Sequence, residues 1–283
     1  MQLTESNGIR IVSRVALLTG VALLGTACVS GSAAEGIERE SVDEVGMTWE
    51  EFQAITYQEP DTGIFIVDGD TPILTLSELH RFYDEVVRDG ALIVHQVGGA
   101  DAAWSASQKL NLTYCVSTSF GARYAEVVQA MASATGAWEA AANVNYVHVA
   151  AQDGSCTASN KNVVFDVRPV HSGQYLARAF FPNQSRSSRN ILVDDTAFLN
   201  GNSPSVTGVL RHELGHTIGF RHEHTRPESG TCFEDNSWRP LTPYDSDSVM
   251  HYPQCNGTGN WSLTLTNSDK SGAASLYGSP GGR

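Results

Sequence analysis

His212-Glu213-Leu214-Gly215-His216-Thr217-Ile218-Gly219-Phe220-Arg221-His222 is the stretch on which the reading of this chain turns. His212 and His216 are four residues apart, so on a helix both rings leave one face a single turn apart and can reach one ion. A helix that ran straight on could not bring a third side chain back to that ion. Gly219 tolerates a positive φ and supplies both the stop and the turn, after which His222 closes the site from the other side. Three neutral imidazoles leave one position open on Zn²⁺, where a bound water gives up its proton near neutral pH. Glu213, beside the first ligand, is placed to take that proton as general base and later return it as acid. Short H-E-x-x-H strings arise by chance. One extended by a glycine and a third histidine on an amphipathic helix is far more specific.

The flanking sequence supplies the scaffold. Ser203-Pro204 reads as a helix start, and Val206, Val209, Leu210, Leu214 and Ile218 carry that helix to Gly219. Upstream, residues 112–116 form a first strand and residues 122–143 a long amphipathic helix. Its stripe of Tyr124, Val127, Val128, Met131, Thr135 and Trp138 reads as core and not as a cofactor box. Strands are expected at 144–149, 162–167, 176–181 and 190–194, all rich in β-branched or aromatic residues, which implies a five-strand sheet. Residues 47–97 form a smaller unit. It has a strand at 63–67, a helix opened by a Thr75/Glu78 capping box, and a strand at 91–95, ended by Gly98 and Gly99.

The N-terminus reads differently. Arg10 and Arg14 precede an apolar run over 15–24 that is too short to span a bilayer, and small residues follow before Cys28. This is a secretory signal pattern. Cys28 after Leu-Gly-Thr-Ala resembles a bacterial lipoprotein box, in which that cysteine would be lipidated; an ordinary signal peptide with an incidental cysteine stands beside it. Residues 29–46, mostly Ser, Gly, Ala and Glu, cannot bury enough surface to order themselves and read as a tether. Apart from Cys28, an even count of cysteines in an exported chain favours disulfides. Of the three possible pairings, Cys115 with Cys156 and Cys232 with Cys255 each close a modest loop. The alternative is four inert thiols.

The composition, 41% hydrophobic and 17% charged, is that of a globular chain, and residues 104–283 are the size of one domain. A formal charge of −13 opposes sequence-independent binding to nucleic acid or anionic lipid. Sequons at Asn111, Asn183, Asn256 and Asn260 would add nothing were the chain bacterial, as the lipoprotein-like box implies.

A second element lies about 30 residues downstream of the histidines: Tyr244-Asp245-Ser246-Asp247-Ser248-Val249-Met250-His251-Tyr252. Together with HELGHTIGFRHEHTRP over 212–227 it resembles the astacin family of metzincin zinc peptidases, and more narrowly the bacterial HEIGH metallopeptidases. The resemblance implies an α+β zincin-like fold: a twisted, mostly parallel five-strand sheet, a long packing helix, a zinc-binding helix, and a small C-terminal subdomain with a Met-turn and a terminal helix. It implies that Met250 forms an apolar floor under the ligands. Tyr252 would be a further ligand that swings away to donate a hydrogen bond to the tetrahedral intermediate. Glu223 matches the residue that holds the buried N-terminus of an activated enzyme; the plain alternative is a solvated carboxylate. The connection from zinc helix to Met-turn is much shorter than in animal astacins, so subsite details are not carried over.

Phe65-Ile66-Val67-Asp68-Gly69-Asp70 resembles the F-x-G-D element of astacin pro-segments, in which Asp70 would occupy the place of the catalytic water. An Asp-Gly turn after a strand is the alternative. No cysteine lies between Cys28 and Cys115, which disfavours a cysteine switch. The expected organisation is a leader over 1–28, a tether over 29–46, a pro-segment over 47–103 cut between about 98 and 111, and a catalytic domain over 104–283.

The function read from the sequence is a secreted zinc endopeptidase made as a zymogen. It would be monomeric and act on proteins or peptides, in the medium or at the surface of a bacterium, with membrane contact only through a lipid on Cys28. Two alternatives remain, a non-catalytic surface-binding or adhesion module on the same fold and a metal hydrolase acting on something other than protein. Degenerate members of such families tend to lose the base or a ligand, and this sequence keeps His212, Glu213, His216 and His222.

Overall fold

The computed structural model describes residues 49–67, 70–83, 94–199, 204–226, 229, 238–255 and 257–281. The leader, the tether, Cys28 and Cys232 lie outside them, and residues 45–283 group as one compact unit. The described chain runs α1 (Trp49–Ile55), β1 (Tyr57–Gln58), β2 (Phe65–Val67), β3 (Thr71–Ile73), α2 (Leu76–Phe82), β4 (Val94–Val97), β5 (Ala100–Asp101) and β6 (Leu112–Val116). It continues with α3 (Tyr124–Glu139), β7 (Tyr146–His148), β8 (Phe165–Val170), β9 (Ala177–Arg178), β10 (Asn190–Asp194), α4 (Val206–Thr217), β11 (Trp238–Arg239) and α5 (Asn267–Tyr277).

The main sheet has the order β7-β6-β8-β10-β9, parallel throughout except for β9, which runs antiparallel to β10 at the edge. The two faces of β10 are both covered, which is why Asn190–Asp194 is buried at every position instead of alternating. β9 is shorter than the strand expected over 176–181. Only Ala177 and Arg178 find ladder partners, and beyond them Phe180 and Phe181 pack as aromatics, Phe180 against Phe165 at 5.4 Å and Phe181 on His95 at 4.3 Å between ring centres.

α3 packs on α4 through the predicted stripe, with Val127, Ala130, Met131, Ala134, Thr135 and Trp138 buried. It begins at Tyr124, later than expected, because residues up to Arg123 belong to a 3₁₀ segment that Gly121, at φ +55°, interrupts. Trp138 fixes the pairing: its Nε1–H donates to the Arg211 carbonyl at 2.8 Å, and its ring stacks on Phe220. α4 starts two residues further along than Ser203-Pro204 suggested. Ser205 is the N-cap, its hydroxyl accepting from the Gly208 N–H at 3.1 Å.

Two further contacts place the site. α5 opens with a capping box of Thr266 and Asp269, and Asp269 also accepts from the Ser248 hydroxyl (2.5 Å) and the Val249 N–H (2.9 Å). The N-terminus of the last helix therefore holds the turn around Met250. Gly98 and Gly99, both at positive φ, form the tight connection between β4 and β5, and β4 also pairs with β11 and meets the chain just after α4, where Val94 bridges Phe220. Among the described residues no helix is long and apolar enough to cross a membrane.

Candidate active site and metal centre

α4 delivers His212 and His216 one turn apart, both buried. Gly219 then turns the chain at φ +96°, and a Cβ there would stand 2.4 Å from the Ala102 carbonyl oxygen, so glycine is demanded both by conformation and by space. Past the turn, His222 comes back to the other two. The His212 and His222 Nε2 atoms are 3.1 Å apart.

The tautomers follow from the hydrogen bonds. His212 Nδ1 meets the Val249 carbonyl and His216 Nδ1 the Phe220 carbonyl, each at 2.7 Å. A carbonyl only accepts, so both Nδ1 atoms carry the proton and both Nε2 atoms present lone pairs inward. Burial pushes the His216 imidazole well below its ordinary range and His222 down to about 3, so both rings stay neutral, as metal ligands require.

Asp70 completes the cluster. It enters from the turn between β2 and β3, with its carboxylate oxygens 3.4 Å from His212 Nε2, 3.6 Å from His216 Nε2 and 3.3 Å from His222 Nε2. Tetrahedral ligands about 2.0–2.1 Å from Zn²⁺ lie about 3.3 Å from one another, which is the spacing of this set. His216 Nε2 and Asp70 Oδ1 have no protein hydrogen-bond partner although both are buried. Two orphaned polar atoms facing one point is the arrangement a bound cation resolves. The donor set fits zinc, with His212, His216, His222 and Asp70 as its holders.

Glu213 is buried beside them, and its Oε2 also lacks a protein partner. Burial, and next the Asp70 charge, push its carboxyl well above the ordinary range. Tyr252 reaches the cluster through Asp70, its hydroxyl donating to Oδ2 at 2.6 Å, while its ring lies 4.6 Å from that of His222. Met250 sits under α4 against Gly215, where a Cβ would be 2.4 Å from its Sδ. A cleft beside the cluster is lined by Tyr175, Leu176, Ala177, Gln254, Trp261 and Leu263 as well as by Asp70, Glu213 and Tyr252.

Other expected residues lie further out. Glu223 is buried and not solvated: it accepts from the Asp245 N–H at 2.9 Å, stands 3.1 Å from Arg226 Nε, and is raised to about 8 by burial despite Arg226. Cys115 and Cys156 are joined, which pins the end of β6 to the loop after β7. Cys255 is disulfide-bonded, and its expected partner Cys232 lies outside the described residues. Sequence reasoning missed the two carbonyls that orient the imidazoles, because backbone acceptors leave no residue signature. It also missed Arg178, fully buried on β9 and paired with Glu59. The signal was present in a single arginine inside an otherwise apolar strand, Leu176-Ala177-Arg178-Ala179-Phe180-Phe181.

Fold and site together define a candidate metal centre of three histidines, two on α4 and one beyond its turn, with a buried glutamate beside the first. The family described as Matrixin matches this chain over residues 103–229, the span from just before β6 past all three histidines. Among curated proteins, zinc metalloproteinase nas-30 of Caenorhabditis elegans is 35% identical over 82 residues, 22% of this chain and 11% of that protein. Astacin-like metalloprotease toxin 2 of Loxosceles intermedia is 36% identical over 76 residues, 20% of this chain and 30% of that protein. The chain thus spans less than a third of either relative. High choriolytic enzyme 1, a hatching enzyme zinc-protease from medaka, has a solved structure that covers 66% of this chain and 99% of its own, with a TM-score of 0.45 and 19% identity. Over these stretches the chain is similar to matrixin and astacin-like zinc peptidases, and its three histidines with Asp70 could hold the zinc such proteins use.

Proposed function

We propose that this chain is a secreted zinc endopeptidase made as a zymogen, hydrolysing peptide bonds in proteins or peptides. One observation carries the reading: the three imidazoles converge on one buried point, and Glu213, buried with an unpartnered Oε2, lines the same cleft as His212 and Asp70. Zinc held there would supply a Lewis acid and lower the pKa of a water at its open position. Glu213, a buried carboxylate at the cleft wall whose Oε2 has no protein partner, would take a proton from that water and return it to the leaving amine. The Val249 and Phe220 carbonyls keep His212 and His216 in the required tautomer throughout. Tyr252, freed from Asp70, is within reach to donate its hydroxyl to the oxyanion.

Asp70 supplies the latency. A carboxylate against all three imidazoles fills the position the water needs, and its departure with residues 47–103 opens it. The expected layout of leader, tether, pro-segment and catalytic domain follows, with an anchor at Cys28 in the lipoprotein version, monomeric action, and a place in the medium or on the surface of a bacterial cell. The narrower likeness to HEIGH metallopeptidases rests on the motif string. A binding module without turnover has no use for a buried glutamate at the metal, which disfavours that reading.

The test compares wild type with Glu213→Ala on casein and labelled peptides, with and without chelator, and identifies the mature N-terminus by sequencing. Chelator-sensitive cleavage by wild type is expected, with a loss of about 10²–10⁴-fold in a variant that still takes up one zinc. Undiminished cleavage by the variant would refute the role of Glu213.

A further inference from the structure

Arg178, 1% exposed, lies on β9, the edge strand of the main sheet. Its Nε and Nη2 donate to Glu59 Oε1 and Oε2 at 2.8 and 2.9 Å, a bidentate fork, and its Nη1 donates to Asn190 Oδ1 at 2.9 Å. The Tyr175 hydroxyl donates to the same Glu59 Oε1 at 2.7 Å. Glu59 is the only carboxylate partner of Arg178 among the described residues. It stands eleven positions before Asp70 in the segment proposed to leave on activation. That segment therefore sets one carboxylate on the imidazole cluster and a second on Arg178.

The neighbours of Arg178 locate this second point relative to the chemistry. Tyr175, Leu176 and Ala177 line the cleft together with Asp70, His212, Glu213 and Tyr252. β9 ends the sheet order, and an extended peptide can align along such an edge. Once Glu59 has gone, the fork keeps only Asn190 as a protein acceptor and the Tyr175 hydroxyl loses its acceptor. Glu213 is within electrostatic reach of Arg178 but makes no bond to it, so the two fork nitrogens vacated by Glu59 are open to a carboxylate offered in the same geometry.

We propose that Arg178 and Tyr175 form a subsite for an acidic side chain, so that the processed enzyme selects peptides carrying Glu or Asp where Glu59 sits in the precursor. The inference rests on the zymogen-peptidase reading above. Glu59 is in this view an internal imitation of the substrate side chain.

The full-length chain, matured by its own processing, is given a proteome-derived peptide library, and the residues around each cut are counted. A matched pair of peptides differing only by Glu→Gln at the most acid-enriched position is then assayed. Enrichment of Glu and Asp at one subsite is expected, with kcat/KM at least about tenfold higher for the Glu peptide. Arg178→Gln should bring that ratio toward one. The wild-type comparison needs no variant and decides the matter even where Arg178→Gln does not fold. Equal cleavage of both peptides, or an undiminished ratio in a folded Arg178→Gln, would overturn the subsite and leave the peptidase standing. No cleavage of any peptide by metal-loaded, processed protein would overturn both.

Discussion

Met250 fills the space that a side chain on Gly215 would need: a Cβ at Gly215 would come within 2.4 Å of the Met250 Sδ and 3.1 Å of the Trp138 ring. The residue just before the second ligand of α4 is thus bare so that the methionine can press against the helix. Gly215→Ala must displace Met250, whose backbone is held by Ser248 and Glu223, or shift α4 against α3. Overpacking of this kind costs about 1–3 kcal/mol. The melting temperature should fall by several degrees and zinc affinity should drop with it. Unaltered melting and metal uptake would show that Met250 moves aside freely.

Asp70→Ala should yield a precursor that hydrolyses peptides without being cut. The carboxylate is gone, Tyr252 is released from its 2.6 Å bond, and His212 and His216 keep their orienting carbonyls. Activity of the uncut variant, checked by intact mass, should approach that of the processed wild type. An inert uncut variant would count against Asp70 as the latency ligand and leave bulk occlusion of the cleft as the cause.

The ligand helix, its stop at Gly219 and the return of His222 were legible because each is written in local spacing: four residues between rings on one helical face, then a glycine. The order of β6, α3, β7, β8, β9, β10 and α4 was legible for the same reason, since hydrophobic period is a local property. Strand ends were less so. β9 stops at Arg178 because β10 offers partners only at Leu192 and Val193, a fact of pairing that no window over 176–181 contains. The Glu59 and Arg178 pair joins residues 119 positions apart, and Tyr252 meets Asp70 across 182. Such contacts are decided by tertiary packing alone; the only local trace is an unexplained charge in an apolar strand.

Cys115→Ala with Cys156→Ala should destabilise the protein by about 2–4 kcal/mol, since the bond closes a loop of 41 residues. The loop brings Asp153 to β6, where it accepts from the Val116 N–H at 2.8 Å and the Tyr124 hydroxyl at 2.6 Å. Denaturant unfolding of the double variant is the measurement. A loss under about 1 kcal/mol would mean that these Asp153 contacts hold the loop without the covalent bond.

The last prediction concerns acid. His224, 3% exposed, accepts the Tyr252 N–H at its Nδ1 (3.0 Å) and stacks on the Tyr252 ring, an arrangement that needs a lone pair on that nitrogen. Burial first, then the neighbouring His251 and His212, hold the His224 imidazole down to about 3 from the ordinary 6.5. Between those two values the unfolded chain carries a proton that the folded chain refuses, so stability rises with pH across the window. The contribution is complete above 6.5 and is lost as the pH falls toward 3. His222, also lowered to about 3, acts in the same direction, and proton competition for a metal ligand reinforces it. Glu223 runs the other way, because its raised value of about 8 means that folding favours its protonated form and that stability falls as pH rises through 8. Unfolding free energy followed from pH 4 to 8 in wild type and in His224→Gln, whose amide oxygen can accept the same Tyr252 N–H, isolates the histidine. The variant should lose part of the slope between pH 4 and 6.5 while keeping the decline toward pH 8. An identical acid limb in both proteins would show that His224 takes up its proton without cost in the folded state.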